Sequence, residues 1–324
     1  MERADNAADA RYRLLQPKYG GIGYDTGSHC FASWQEGESH KMFHLMMLLA
    51  LAGLFAALGF GDALELTLRR RKESVPGTGQ YETSYESVAW SADRTAFLVC
   101  DMWNQHWCVS ASRRVEELAP TMNAALNAGR DRGVLILHAP SDTMAFYAAT
   151  PQRERARSAP KVASEPEDIS LWRPLDSTRE SPLPIDDSDG GCDDLPPCPT
   201  YRAWTRQHPA LEIAPEDAIS DNGAEIYRLL EQQQIENVVV MGVHTNMCVL
   251  GRSFGIRRLV GLGKNVALMR DMTDSLYNPR KQPYVSHFHG TRLMVDHIET
   301  YWCPSITSDQ ITGGEPFSFQ DAIG

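Results

Sequence analysis

Cysteine is scarce in this chain and never closely paired: there are seven in 324 residues, with no Cys-x-x-Cys. The count is too low for a disulfide scaffold, and the missing dithiol motif argues against the usual thiol-exchange chemistry. Positive charge is also in short supply. Lys and Arg number 31 against 42 Asp and Glu, a formal net charge of −11. No basic stripe stands out from that background, so no nucleic-acid partner is expected. The only dense basic cluster, Arg69-Arg70-Arg71-Lys72, reads as a solvated strand end. What remains is ordinary for a globular protein, 42% hydrophobic and 23% charged, and long enough to bury a full core.

Long apolar runs are missing too, with one exception. Met42 to Phe60 is apolar except for His44, follows Lys41 and ends at Gly61-Asp62-Ala63. Residues 42–63 therefore read as a signal peptide or membrane anchor, and the protein as exported (periplasmic or extracellular), with a possible membrane tether through 42–60. Residues 1–41 are polar, Gly-rich and without periodicity; they read as a disordered leader, or as lying upstream of a true start at Met42 or Met46.

From residue 64 the pattern becomes regular. Leu64–Arg69 alternates apolar and polar, Pro76-Gly77-Thr78-Gly79 is a turn cluster, and Tyr81–Trp90 is strand-like again, giving a hairpin over 64–92. A strand–helix alternation follows over 93–310, ahead of a tail at 311–324. Its strands are Thr95–Cys100, Val134–Leu137, Asn237–Gly242, Asn265–Met269 and Ser305–Thr307; its helices are Arg113–Arg132, Ala224–Gln234, Asn246–Leu262 and Leu293–Trp302. Near-continuous Val/Ile/Leu strands alternating with helices imply a parallel sheet covered on both faces, with ligands at the carboxyl ends of its strands. Asp101, His138, His244 and Asp271 all follow strands and collect at that rim. An insertion at about 141–210, rich in Pro, Ser and Asp, reads as a substrate-covering or solvated loop. Its Asp-rich run Ile185–Asp194 lacks the acid an EF-hand would need at Ile185. Cys192 and Cys198 lie close enough within it to bridge in an oxidising compartment.

The sharpest signal is Val238–Leu250, VVVMGVHTNMCVL. A strand runs through Gly242 into a short turn, placing Cys248 at or near the start of a helix, where unpaired backbone N–H groups favour a thiolate and can hold an oxyanion. The same pattern also suits a buried cysteine packed beneath the sheet.

Gly242-Val243-His244-Thr245-Asn246-Met247-Cys248-Val249 resembles the Gly-Val-x-Thr-x-x-Cys-Val signature of the isochorismatase-like hydrolases, which include nicotinamidases. Phe97-Leu98-Val99-Cys100-Asp101-Met102-Trp103 resembles that family's first strand, which ends in its catalytic Asp. The resemblance covers roughly Thr95 to Thr307. It implies an α/β fold with a three-layer, doubly wound, mostly parallel six-stranded sheet, here extended by the hairpin and the insertion. It further implies a homo-oligomer, a cis peptide at Val243–His244, and a cysteine hydrolase acting on a C–N bond of a small molecule. In that chemistry Cys248 attacks and Asp101 moves the proton.

The family Lys is missing, since Leu211–Asp221 contains none. Arg206, beside Trp204, is the candidate replacement cation. Trp103, His106, His138, His244, Thr245 and Met247 are the candidate substrate and oxyanion positions. His138-Ala139-Pro140-Ser141-Asp142 stands where nicotinamidases carry a metal-binding Asp-x-His, so no metal and no other cofactor is expected. Asp271, Asp274 and Asn278 read as turn caps, and His287 with His289 does not make a metal site without further ligands. The alternative is an exported small-molecule binding protein that keeps the hydrolase fold without activity.

Overall fold

The computed structural model describes residues 62–322. The leader at 1–41 and the apolar segment at 42–60 lie outside the described residues. Ala63, expected to close that segment, opens the first strand. Among the described residues no helix is long and apolar enough to cross a membrane.

Strands β1 (Ala63–Glu73) and β2 (Tyr81–Ser91) form the hairpin. Then follow β3 (Thr95–Cys100), α1 (Val109–Arg130), β4 (Leu135–Ala139), α2 (Pro151–Arg157), β5 (Ala218–Ile219) and α3 (Gly223–Gln232). The chain continues with β6 (Asn237–Val243), α4 (Ile256–Gly261), β7 (Asn265–Asp274), α5 (His287–Tyr301) and β8 (Ser305–Ile306). The strands form one sheet in the order β2-β1-β8-β7-β6-β3-β4-β5. Its six strands from β8 to β5 are all parallel.

The sheet therefore has eight strands, not the expected six. The hairpin does not stay separate: β1 pairs antiparallel with β8 at Arg69↔Ser305. Charge fixes the join, because Arg69 Nε lies 2.8 Å from Glu299 Oε1 and Arg71 Nη1 lies 2.5 Å from Asp296 Oδ2, both on α5. The basic run is thus partly neutralised rather than simply solvated.

Alternate residues of each strand feed two apolar layers, the consequence of a period of two in a sheet covered on both sides. Phe97, Val99, Val239, Met241 and Ala267 face α1 through Val115, Leu118, Met122 and Leu126, together with Leu64, Leu66 and Trp90 of the hairpin. Leu98, Cys100, Val238, Val240 and Leu268 face α3, α4 and α5 through Ile226, Leu229, Leu259, Met294 and Ile298.

Three helices depart from expectation, the last of them, α5, by beginning at His287 rather than Leu293. The first begins at Val109 rather than Arg113, with Cys108 at its N-cap. The helix expected over Asn246–Leu262 is broken: Thr245–Val249 is a wide π-type turn, and a regular helix resumes only after Gly255. Such turns occur frequently at functional sites.

The Asp-rich run of the insertion does not converge as a calcium loop would. Asp187 accepts from Asn246 Nδ2 at 2.7 Å, Asp189 from Asn278 Nδ2 at 2.7 Å and Asp193 from Arg114 Nη1 at 2.8 Å. These bonds pin the insertion across the carboxyl rim of the sheet.

Candidate active site

Among the six parallel strands the order reverses between β3 and β6, the first strand leading to β4 on one side and the fourth to β7 on the other. Open α/β sheets bind ligands at that switch point. Asp101 ends β3, and the Cys248 turn follows β6, so the crossing of the chain alone brings them together. Gly242 permits the approach. Its φ is +109°, and a Cβ there would lie 2.0 Å from the Cys100 carbonyl oxygen, so no other residue fits. The peptide between Val243 and His244 is cis.

Asp101 is fully buried, and two donors hold its carboxylate. Oδ1 accepts the Ser141 backbone N–H at 2.7 Å, and Oδ2 accepts Arg252 Nε–H at 3.0 Å. Cys248 is close enough for its thiol and this carboxyl to shift each other's titration. Burial pushes Asp101 above the ordinary carboxylate range, and Arg252, Ser141 and Cys248 only partly offset it. Burial and then the Asp101 charge push the Cys248 thiol up; Arg252 and the His244 backbone N–H pull the other way. Both shifts run against the expected thiolate stabilised at a helix start: burial beside Asp101 favours the neutral thiol. Cys248 itself is buried, 8% exposed.

The cation at this pair is Arg252, not Arg206. Asn104 accepts the Thr205 and Arg206 backbone N–H groups at 3.0 and 3.1 Å, and Trp103 bridges to Gln207. That register turns Trp204 and Gln207 inward and Arg206 outward, where its guanidinium lies 5.4 Å from the Phe146 ring centroid. Arg252 comes instead from one turn beyond Cys248, its backbone N–H donating to the Cys248 carbonyl at 3.0 Å. Cys-x-x-x-Arg at helical spacing was the available signal in the sequence. The exposed Trp172 of the insertion stands over this turn, 5.7 Å from the Arg252 guanidinium.

Three of the other candidate positions gather around the pair. Trp103 stacks on Trp204 at 4.3 Å, His106 stacks on Trp204 at 5.7 Å, and His244 meets His106 edge-on at 4.9 Å. Burial, then the nearby Arg114 charge, lowers His106 to about 4; burial likewise holds His244 well below its usual range. Both shifts favour the neutral ring, and the two rings stand with Trp103 and Trp204 in one aromatic wall.

The remaining candidates serve the frame. His138 is fully buried, with Nε2 2.9 Å from Asp217 and Nδ1 3.0 Å from Gln207. Thr245 Oγ1 bonds Thr273 Oγ1 at 2.8 Å, tying the Cys248 turn to β7. Met247 packs toward Cys192 of the insertion and Leu276 just after β7. A cavity of about 370 Å³ opens beside Trp204, lined also by Asp142, Phe146 and Arg202. A larger one, about 610 Å³, lies at the opposite rim beside Lys264 and Asn265, where the strand topology does not favour a ligand.

This arrangement makes a directional prediction. Removing the Arg252 charge disfavours both anions, so both the Asp101 carboxyl and the Cys248 thiol rise. In Arg252→Gln the pH profile of Cys248 alkylation by iodoacetamide is expected to move to higher pH, while that of Arg206→Ala overlays the wild type. An Arg252→Gln profile that does not move would remove Arg252 from the pair.

No protein-family model and no curated protein matches the sequence. Solved structures do. A cysteine hydrolase from Pseudomonas syringae pv. phaseolicola 1448A is 15% identical, matching 69% of this chain and 92% of its own with a TM-score of 0.43. A putative isochorismatase from Burkholderia xenovorans LB400 is 18% identical over 69% of this chain and 90% of its own, with a TM-score of 0.41. A ribonuclease from Caenorhabditis elegans is 12% identical over 69% and 83%, with a TM-score of 0.36. In fold the chain is similar to isochorismatase-family proteins, the family whose motifs Val238–Leu250 and Phe97–Trp103 resemble.

Proposed function

We propose that the protein is a cysteine hydrolase that cleaves a C–N bond, amide or related, of a small molecule. One arrangement carries the reading: a single buried carboxylate, Asp101, bonds the Arg252 guanidinium at 3.0 Å and lies beside Cys248 at the switch point of the sheet. Cys248 sulfur bonds to the carbonyl carbon as its proton passes to Asp101. The tetrahedral intermediate then expels the amine, which takes that proton from Asp101. Water, deprotonated by the same carboxylate, cleaves the thioester, releasing a carboxylic acid and restoring the thiol. Backbone N–H groups of the Cys248 turn hold the oxyanion. Arg252 supplies the charge that the missing Lys would have brought, which weakens the non-catalytic alternative.

The wall suits a flat or apolar substrate with polar ends. Trp103, Trp204 and His106 offer faces for stacking, while Trp204 Nε1, Gln207 Nε2 and His244 Nε2 are buried without a protein partner. Buried polar atoms are normally satisfied, so these three are the positions from which a substrate would be recognised. Export through residues 42–60 and assembly as a homo-oligomer belong to the same proposal.

The test is acyl-enzyme trapping. The protein is incubated with a panel of small primary amides and N-acyl anilides, quenched in acid and weighed intact. The expected adduct maps to Cys248 and is absent from Cys248→Ala. Amine release undiminished in Cys248→Ala would overturn the assignment.

A further inference from the structure

Away from the Cys248 site, three thiols converge on one carboxylate oxygen. Asp194 Oδ2 lies 3.4 Å from Cys108 Sγ, 3.5 Å from Cys192 Sγ and 3.2 Å from Cys198 Sγ. The same oxygen also accepts the Ser110 backbone N–H at 3.0 Å. A carboxylate oxygen has two lone pairs, so four donors cannot all be hydrogen-bonded to it. Hydrogen bonding alone does not account for the convergence, and its spacing can be compared with that of a cation's ligands. In a tetrahedral zinc site with Zn–S of about 2.3 Å and Zn–O of about 2.0 Å, the sulfur–oxygen edges come to about 3.5 Å. The three separations here match that edge.

The surroundings suit anionic ligands. Cys108 occupies the N-cap position of the 22-residue helix α1, without a side-chain cap bond, so its sulfur sits at the helix start beside the first-turn amides. Those N–H groups have no partner within the helix and favour negative charge. Ser110 Oγ holds the second Asp194 oxygen at 2.5 Å, and Arg280 Nη2 donates to the Asp194 carbonyl at 3.1 Å. Such outer contacts fix ligand orientation in metal centres.

We propose that Cys108, Cys192 and Asp194, whose ligand atoms lie within 4.8 Å of one another, form the core of a structural zinc site, with Cys198, which reaches the Asp194 oxygen but lies outside that group, as the fourth ligand. Binding replaces three thiol protons, which leave to solvent, and no oxidation is involved. Four protein ligands close the coordination sphere, as structural zinc sites require. The metal clamps the end of the insertion to the start of α1. It packs against Leu276 and, through it, toward Met247 of the nucleophile turn. His106 Nδ1 accepts the Cys108 backbone N–H at 3.1 Å, so the same clamp steadies the aromatic wall. The expectation of no metal at the catalytic pair is separate from this second centre. A Cys192–Cys198 bridge, the pairing suggested by their closeness in the chain, competes with it directly, since both cannot exist at once.

The test uses the full chain, treated with chelator under reducing conditions and desalted, then titrated with Co²⁺ and with Zn²⁺. Wild type is expected to develop thiolate-to-cobalt charge-transfer absorption saturating at one metal per chain, and Zn²⁺ is expected to displace it with loss of the colour. Zinc loading should also protect Cys108, Cys192 and Cys198, but not Cys248, from alkylation as read by peptide mapping. Cys192→Ser and Asp194→Asn should each lose affinity by at least an order of magnitude, with unchanged circular dichroism. If Cys192→Ser does not fold, the wild-type titration and protection map decide. A wild type that takes up neither metal overturns the site, and so does a disulfide among the three cysteines in a non-reducing map of protein from an oxidising host.

Discussion

Asp101→Asn is expected to lower kcat/KM on the best amide of the panel by about 10²–10⁴-fold, the usual contribution of a positioned acid/base. Asn keeps the shape and can still accept the Ser141 N–H, but it cannot take the thiol proton or return one to the amine. Arg252 loses its partner while remaining a quarter exposed, so water can solvate it and the fold should persist. The pH dependence gives a second readout. Turnover needs Asp101 ionised, and burial raises its titration above the ordinary carboxylate range. The acid limb of the wild-type profile should therefore lie above that range and vanish in Asp101→Asn. A variant with the wild-type rate would show that Asp101 is not the base.

Glu180→Ala should be the most destabilising substitution in the insertion, by about 3–5 kcal/mol, the cost of breaking a buried ion pair from one side. Glu180 accepts from Arg257 Nε at 2.7 Å and Nη2 at 2.9 Å, His297 Nε2 at 2.8 Å, Trp302 Nε1 at 2.9 Å and the Asp176 N–H at 3.0 Å. The pair is almost fully buried, so truncation strands the Arg257 charge. Burial alone would raise the Glu180 carboxyl, but the bonds from His297, Arg257, Asp176 and Trp302 outweigh it and hold it at about 2. A carboxyl depressed in the folded state contributes fully above its unfolded value of 4.5 and loses that contribution as pH falls toward 2. Urea midpoints should therefore separate wild type from Glu180→Ala most widely near neutral pH and converge in strong acid. A separation below 1 kcal/mol at pH 7, or one that does not narrow in acid, would contradict this account.

The strands and the meeting of Asp101 with Cys248 were legible because local sequence encodes them. Thr95–Cys100 and Asn237–Val243 are short apolar runs buried on both faces, and the polar residue each leads to must sit at the carboxyl rim. The hairpin was legible from alternation, but its attachment was not. Pairing β1 with β8 depends on Arg69 finding Glu299, 230 residues later in the chain. Helix breakage after Cys248 was hidden for a similar reason. The run to Leu262 has helical composition, and only the tertiary tie of Thr245 to Thr273 reveals the wide turn.

By itself, the sequence determined the layered parallel sheet, the placement of Asp101 and Cys248 at one rim, and the absence of the family Lys. These follow from residue type, period and order along the chain. The tertiary structure decided which cation lies at the Asp101–Cys248 pair, which way burial shifts the thiol, and where the insertion goes. Arg206 and Arg252 are equivalent in composition. Only the inward register of Trp204 and Gln207, and the single helical turn from Cys248 to Arg252, separate them. Likewise Cys108 lies 84 residues from Cys192, and nothing local joins them. Long-range packing brings their sulfurs to one carboxylate, because the insertion must return across the rim to bury Leu276 against the start of α1.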